Sequence, residues 1–135
     1  MAAEEQQPVL APGPAGAPWR YAAIEFALTA VLMFVVVTVV RWLLDPASPA
    51  HIGSLHLALV VIGALVAVVL LGLILSPPDR RSGAHLNPAV SLALRLMRAF
   101  PGRAVAPYAV AQLCGALAGT ALARLVWGRV LDAAP

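Results

Sequence analysis

The sequence predicts an all-α membrane protein with three transmembrane helices and one re-entrant half-helix. Composition is the first reason: 61% of the 135 residues are hydrophobic and only 11% are charged. Soluble domains are roughly half apolar and about a quarter charged. The second is where the excess lies. It falls in three runs, Tyr21–Val40, Leu55–Leu75 and Val105–Val126, each of about 20 residues, enough for a helix to cross a hydrocarbon core of about 30 Å. The third is a shorter apolar stretch between the second and third runs, Ala89–Leu96, which cannot span. An apolar stretch of that length reads as a core, interfacial or re-entrant helix.

Along the chain, residues 1–18 hold Pro8, Pro12, Pro14 and Pro18 among Ala, Gly and Gln, the composition of a disordered tail. Residues 19–135 form one unit. Trp19, Arg20 and Tyr21 make an interfacial belt that opens the first helix, expected over about 20–44. Its apolar run is too long for a signal peptide and follows Glu4 and Glu5 rather than a basic segment, so the helix is retained. Asp45-Pro46 and Pro49 make a loop, which also takes His51 and His56. The second helix covers about 55–75 and ends at Ser76-Pro77-Pro78, with the charged loop Asp79-Arg80-Arg81 beyond it. The half-helix covers about 87–97, bounded by Arg95 and Arg98. Phe100-Pro101-Gly102-Arg103 breaks the chain before the third helix, about 104–127. Pro107 falls in its first turn, where proline is tolerated.

The net charge is +3 and all nine basic residues are arginine. They cluster at the ends of the apolar runs, as anchors and topology signals do, and form no basic stripe for nucleic acid. Arg20, Arg80, Arg81, Arg95, Arg98 and Arg103 fall on one side of the membrane; Arg41, Arg124 and Arg129 fall on the other. The bias places the N-terminus in the cytoplasm. Cys114 is the one cysteine and reads as a small buried helix residue. No Cys/His cluster suggests zinc, and nothing resembles a nucleophile with its base or a phosphate loop, so no cofactor, no metal and no enzymatic activity are expected.

Asn87-Pro88-Ala89 stands where the half-helix should start. Asn is among the best N-caps and Pro fits the first helical position, so the tripeptide could do nothing more than start a helix. Its setting argues for more. Irregular backbone at membrane depth survives only when buried in protein or lining water. A half-helix dipping into the bilayer would bring about half a positive charge near the midplane. The Asn87 amide could donate to a passing molecule, and Gly83 would permit a tight backbone. Carbonyls of Gly83, Ala84 and His85 could then accept hydrogen bonds along a track. Inward-facing half-helix dipoles exclude protons and cations while passing neutral molecules.

Ser82–Val90, Ser-Gly-Ala-His-Leu-Asn-Pro-Ala-Val, resembles the first pore loop of the major intrinsic protein family, the aquaporins and glycerol facilitators. Glu25-Phe-Ala-Leu-Thr29 is similar to the family's first-helix pattern, and Tyr108-Ala-Val-Ala-Gln112-Leu-Cys-Gly115 to its third-helix pattern. The likeness spans residues 20–128 and matches the N-terminal half of that fold, with a single Asn-Pro-Ala. It implies half of an aquaporin-like channel, passive for water or small neutral solutes such as glycerol, in the plasma membrane. Asn87 would orient the solute, and Gly83, Ala84, His85, Pro88, Ala89 and Val90 would line the path. Glu25 would accept hydrogen bonds from the pore-loop backbone; its alternative is an acid snorkelling to the interface, about one turn from Arg20. A charge in a span costs about 2.5–3.5 kcal/mol on insertion scales, which favours a partner. Gln112 would tie helices together. Ala111, Gly115, Gly119 and Ala123 form a small-residue stripe for helix packing.

Two departures from the family pattern stand out. The Ser76–Arg81 loop is longer than usual, and the half that would bring a second Asn-Pro-Ala followed by arginine is absent. Val90 occupies the matching place here. The implied partners are the lipid bilayer, the solute and a second half-channel, supplied by a partner chain of opposite orientation or by a second copy. The rival readings are a non-conducting helix-packing subunit and a truncated piece of a full-length channel.

Overall fold

The computed structural model describes residues 18–83 and 85–128. The proposed tail up to residue 17, Ala84 and Arg129 lie outside the described residues. Five helices follow in order: α1 (Pro18–Leu44), α2 (Leu55–Ile74), α3 (Asp79–Ser82), α4 (Pro88–Leu96) and α5 (Gly102–Trp127). Three of them, α1, α2 and α5, are long and apolar enough to cross a membrane. Helix α4 has nine residues. At 1.5 Å per residue it rises about 14 Å, close to half of a core about 30 Å thick.

Several boundaries differ from the sequence expectation, each for a local reason. Pro18 opens α1 instead of closing a tail, as proline does at a first helical position. The charged loop after Pro77-Pro78 contains a helical turn, α3, in which the Arg81 N–H donates to the Pro78 carbonyl at 3.1 Å. Helix α5 starts at Gly102, so Pro107 lies inside it and not in its first turn. That proline has no N–H to offer the Arg103 carbonyl, an interior cost that a surrounding bundle can absorb. His56 stands exposed in the first turn of α2 while His51 stays in the loop.

Helix α1 packs along α5. The buried face of α5 runs Ala104, Tyr108, Gln112, Gly115, Gly119 and Ala123; that of α1 runs Ala22, Glu25 and Thr29. The helices touch backbone to backbone. A β-carbon at Gly115 would overlap the Phe26 carbonyl, and one at Gly119 the Ala30 carbonyl. Both pairs are four residues apart, so one ridge of α5 registers on one ridge of α1. Of the expected stripe, Gly115, Gly119 and Ala123 are buried, while Ala111 is half-buried beside Ala22, Phe100, Ala104 and Tyr108. Gln112 takes the buried place next to it. Cys114 is exposed, contrary to the expectation, because it lies off this face.

At the C-terminal ends of α1 and α5 the contact is aromatic and polar. The Trp42 and Trp127 rings meet edge to face at 5.5 Å, and the Arg41 guanidinium lies 5.2 Å from the Trp127 ring centre. The Trp127 indole N–H donates to Thr38 Oγ1 at 2.9 Å, and the Thr38 hydroxyl donates to the Phe34 carbonyl at 2.7 Å. Asp45 stands 3.9 Å from Arg41.

Candidate pore loop and its support

Between α3 and α4, Gly83, His85, Leu86 and Asn87 lie outside regular structure, so their backbone groups need partners from elsewhere. One buried carboxylate supplies several. Glu25 is fully buried. Its Oε1 accepts from the Ser82 hydroxyl at 2.6 Å and the His85 N–H at 3.3 Å. Its Oε2 accepts from the Leu86 N–H at 2.7 Å and the Gln112 amide at 2.8 Å. Four donors meet a group whose two oxygens offer about four lone-pair sites. Glu25 therefore ties the loop to α5 and does not reach the interface.

The rest of the loop is held by neighbours of that carboxylate. Tyr108 donates its hydroxyl to the Ser82 carbonyl at 2.7 Å. His85 Nδ1 lies 2.8 Å from Ser91 Oγ, and the Gln112 amide reaches Ser91 Oγ at 3.3 Å. The His85 ring is buried against Phe100 and Tyr108, at 4.5 Å and 5.2 Å between ring centres. Its side chain thus belongs to the support, on the inner side of the loop. The turn is made by left-handed backbone at Gly83 (φ 102°) and Leu86 (φ 52°). A β-carbon on Gly83 would stand 3.2 Å from His85 Nε2, so glycine serves there both for its φ and for the space.

Asn87 caps α4. Its Oδ1 accepts from the Ala89 N–H at 2.9 Å, and Pro88 follows at the first helical position. The side chain is exposed, and its NH₂ makes no hydrogen bond among the described residues. Gly83, Ala89 and Val90 are exposed with it, and Pro88 is partly so. The structure thus brings two groups together. Glu25, Gln112 and the His85 ring stand behind the loop; Gly83, Asn87, Ala89 and Val90 are on its open side.

Sequence reasoning gave no role to Ser82, Ser91, Tyr108 and Phe100. A signal existed for two of them. Tyr108 and Gln112 are four apart on one helix face, and Ser91 is a polar residue on an apolar half-helix four positions after its cap.

Spanning helices with a half-helix that starts from irregular, internally satisfied backbone define a multi-pass membrane protein built around a re-entrant segment. The family model described as major intrinsic protein matches residues 15–134. The chain belongs to the major intrinsic protein family. It is 60% identical over 47 residues to a propanediol uptake facilitator of Citrobacter freundii, covering 35% of this chain and 18% of that one. It is 54% identical over 46 residues to an aquaglyceroporin of Rhizobium meliloti, covering 34% and 20%. To a probable aquaporin of Arabidopsis thaliana it is 35% identical over 111 residues, covering 82% of this chain and 38% of that one. The chain thus spans well under half the length of these relatives. No solved structure matches it.

Proposed function

We propose that this chain forms one half of a passive channel for water or small neutral solutes, conducting once it pairs with a second half. The supporting observation is the state of Asn87. Its carbonyl oxygen is spent on capping α4, while its NH₂ stays exposed and unspent at the positive end of that helix. A rigid donor at the end of a half-helix suits transient hydrogen bonding to a neutral solute. Gly83, Ala84, His85, Pro88, Ala89 and Val90 line the path in this reading, the first three through their carbonyls. No catalytic step is involved. The relatives' names, a propanediol uptake facilitator, an aquaglyceroporin and a probable aquaporin, fit a small uncharged cargo.

The chain sits in the cell membrane with its N-terminus in the cytoplasm, by the arginine bias. The other half comes from a chain inserted in the opposite sense. A packing-subunit role would use the small-residue face of α5, but α1 already occupies that face.

Vesicles containing the full chain test the reading by their osmotic swelling in water and glycerol. Asn87→Ala removes both cap and donor, costing about 1 kcal/mol of helix stability along with conduction. Asn87→Asp keeps the cap and replaces the donor by a carboxylate, so conduction falls while folding persists. Equal swelling for all three at matched protein levels rules out the pore role of Asn87.

A further inference from the structure

Around the turn between α4 and α5 stand three arginines that the loop network does not use: Arg95 in the last turn of α4, Arg98 in the turn and Arg103 at the start of α5. The side chains of Arg95, Arg98 and Arg103 are exposed, and none has a hydrogen bond or ion pair among the described residues. Arg98 occupies the left-handed position after the C-cap, with φ 60°. The Ala99 N–H closes onto the Leu94 carbonyl at 2.8 Å and the Arg98 N–H onto the Arg95 carbonyl at 3.0 Å. That is the turn in which glycine is the usual residue; here the chain places a cation. The Arg95 head lies against the start of α5, where a β-carbon on Gly102 would stand 2.8 Å from Arg95 Nε. Beside the cations, Leu96 and Met97 are 76% and 73% exposed. The tip is therefore apolar, rimmed by unpaired guanidinium groups, and it lies at the surface end of a helix about half a bilayer long.

We infer that this turn is a binding site for anionic phospholipid. Leu96 and Met97 enter the acyl boundary, while Arg95, Arg98 and Arg103 hold headgroup phosphates. Guanidinium groups pair with phosphate through two parallel N–H bonds, and a nearby apolar tip selects a phosphate attached to a chain. The inference does not depend on whether the chain conducts.

The test titrates the full chain in neutral detergent with phosphatidylglycerol or phosphatidylcholine and counts bound lipid by native mass spectrometry. Phosphatidylglycerol binds in preference. Each arginine contributes about fivefold, so the triple substitution Arg95→Gln, Arg98→Gln, Arg103→Gln loses on the order of a hundredfold. Arg98→Gly keeps the turn, because glycine favours that φ, and loses about fivefold without a folding defect. Arg124→Gln, at the opposite end of α5, leaves binding unchanged. Undiminished preference in the triple variant, or equal binding of the two lipids, refutes the site. Displacement of the lipid by inorganic phosphate at equal concentration refutes its lipid character.

Discussion

Glu25 is the residue on which the loop most depends. It has four donors and sits on the buried face of α1 between Ala22 and Thr29. Glu25→Ala removes the acceptor of all four, at about 1–3 kcal/mol for each buried group left unpaired, with Gln112 still reaching Ser91 and some loss recovered by repacking. Unfolding in detergent should show a loss of about 3 kcal/mol or more. Glu25→Gln keeps one acceptor oxygen but turns an NH₂ toward two donors, so it too is destabilised. Wild-type stability in both variants would show that the loop is held by something other than this carboxylate. That Glu25 needs a partner was legible from an acid within a span. Which partners it has was not, because they lie 57 to 87 positions away and local periodicity carries no such information.

Among the elements, the long helices and the half-helix could be read from the sequence because hydropathy, proline and the Asn-Pro cap act locally. The face of α5 was half legible. Small residues every four positions marked Gly115 and Gly119, but their register on Phe26 and Ala30 depends on α1 and lay beyond pattern reading. The same register yields a prediction with two signs. Gly119→Ala pushes a methyl group into the Ala30 carbonyl, and backbone cannot swing aside. Overpacking of this kind costs about 1–3 kcal/mol and separates the helices. Gly63→Ala and Gly72→Ala in α2 meet nothing within 4 Å, so they are neutral or gain up to about 1 kcal/mol of helix propensity. Thermal unfolding of the three variants in one detergent checks the contrast; equal shifts would mean that α1 and α5 are not in close contact at Gly119. The interior place of Pro107, read as the first turn of its helix, and the helical turn α3 were not legible because a Pro or a charged run alone does not say how far a helix extends.

For the whole molecule, three crossings put the two ends of this three-helix unit on opposite sides of the membrane, so the proposed second half would be inverted relative to it. In the proposed orientation, six arginines against three favour the N-terminus in the cytoplasm. A cysteine introduced in the N-terminal tail, with Cys114 replaced, should be labelled from the cytoplasmic side of sealed cells. Comparable labelling from both sides would instead favour an antiparallel pair of identical chains.

The bonds made by Glu25 also set an order of events during synthesis. Helix α1 leaves the ribosome first and enters the membrane with its acid alone, an insertion cost of about 2.5–3.5 kcal/mol. The Ser82, His85 and Leu86 donors arrive only after α2 has crossed and turned back. Gln112 comes later still, on α5. Until then one acceptor position of the Glu25 carboxylate lacks its Gln112 donor. The carboxylate of Glu25 therefore has all four of its donors only once α5 lies beside α1.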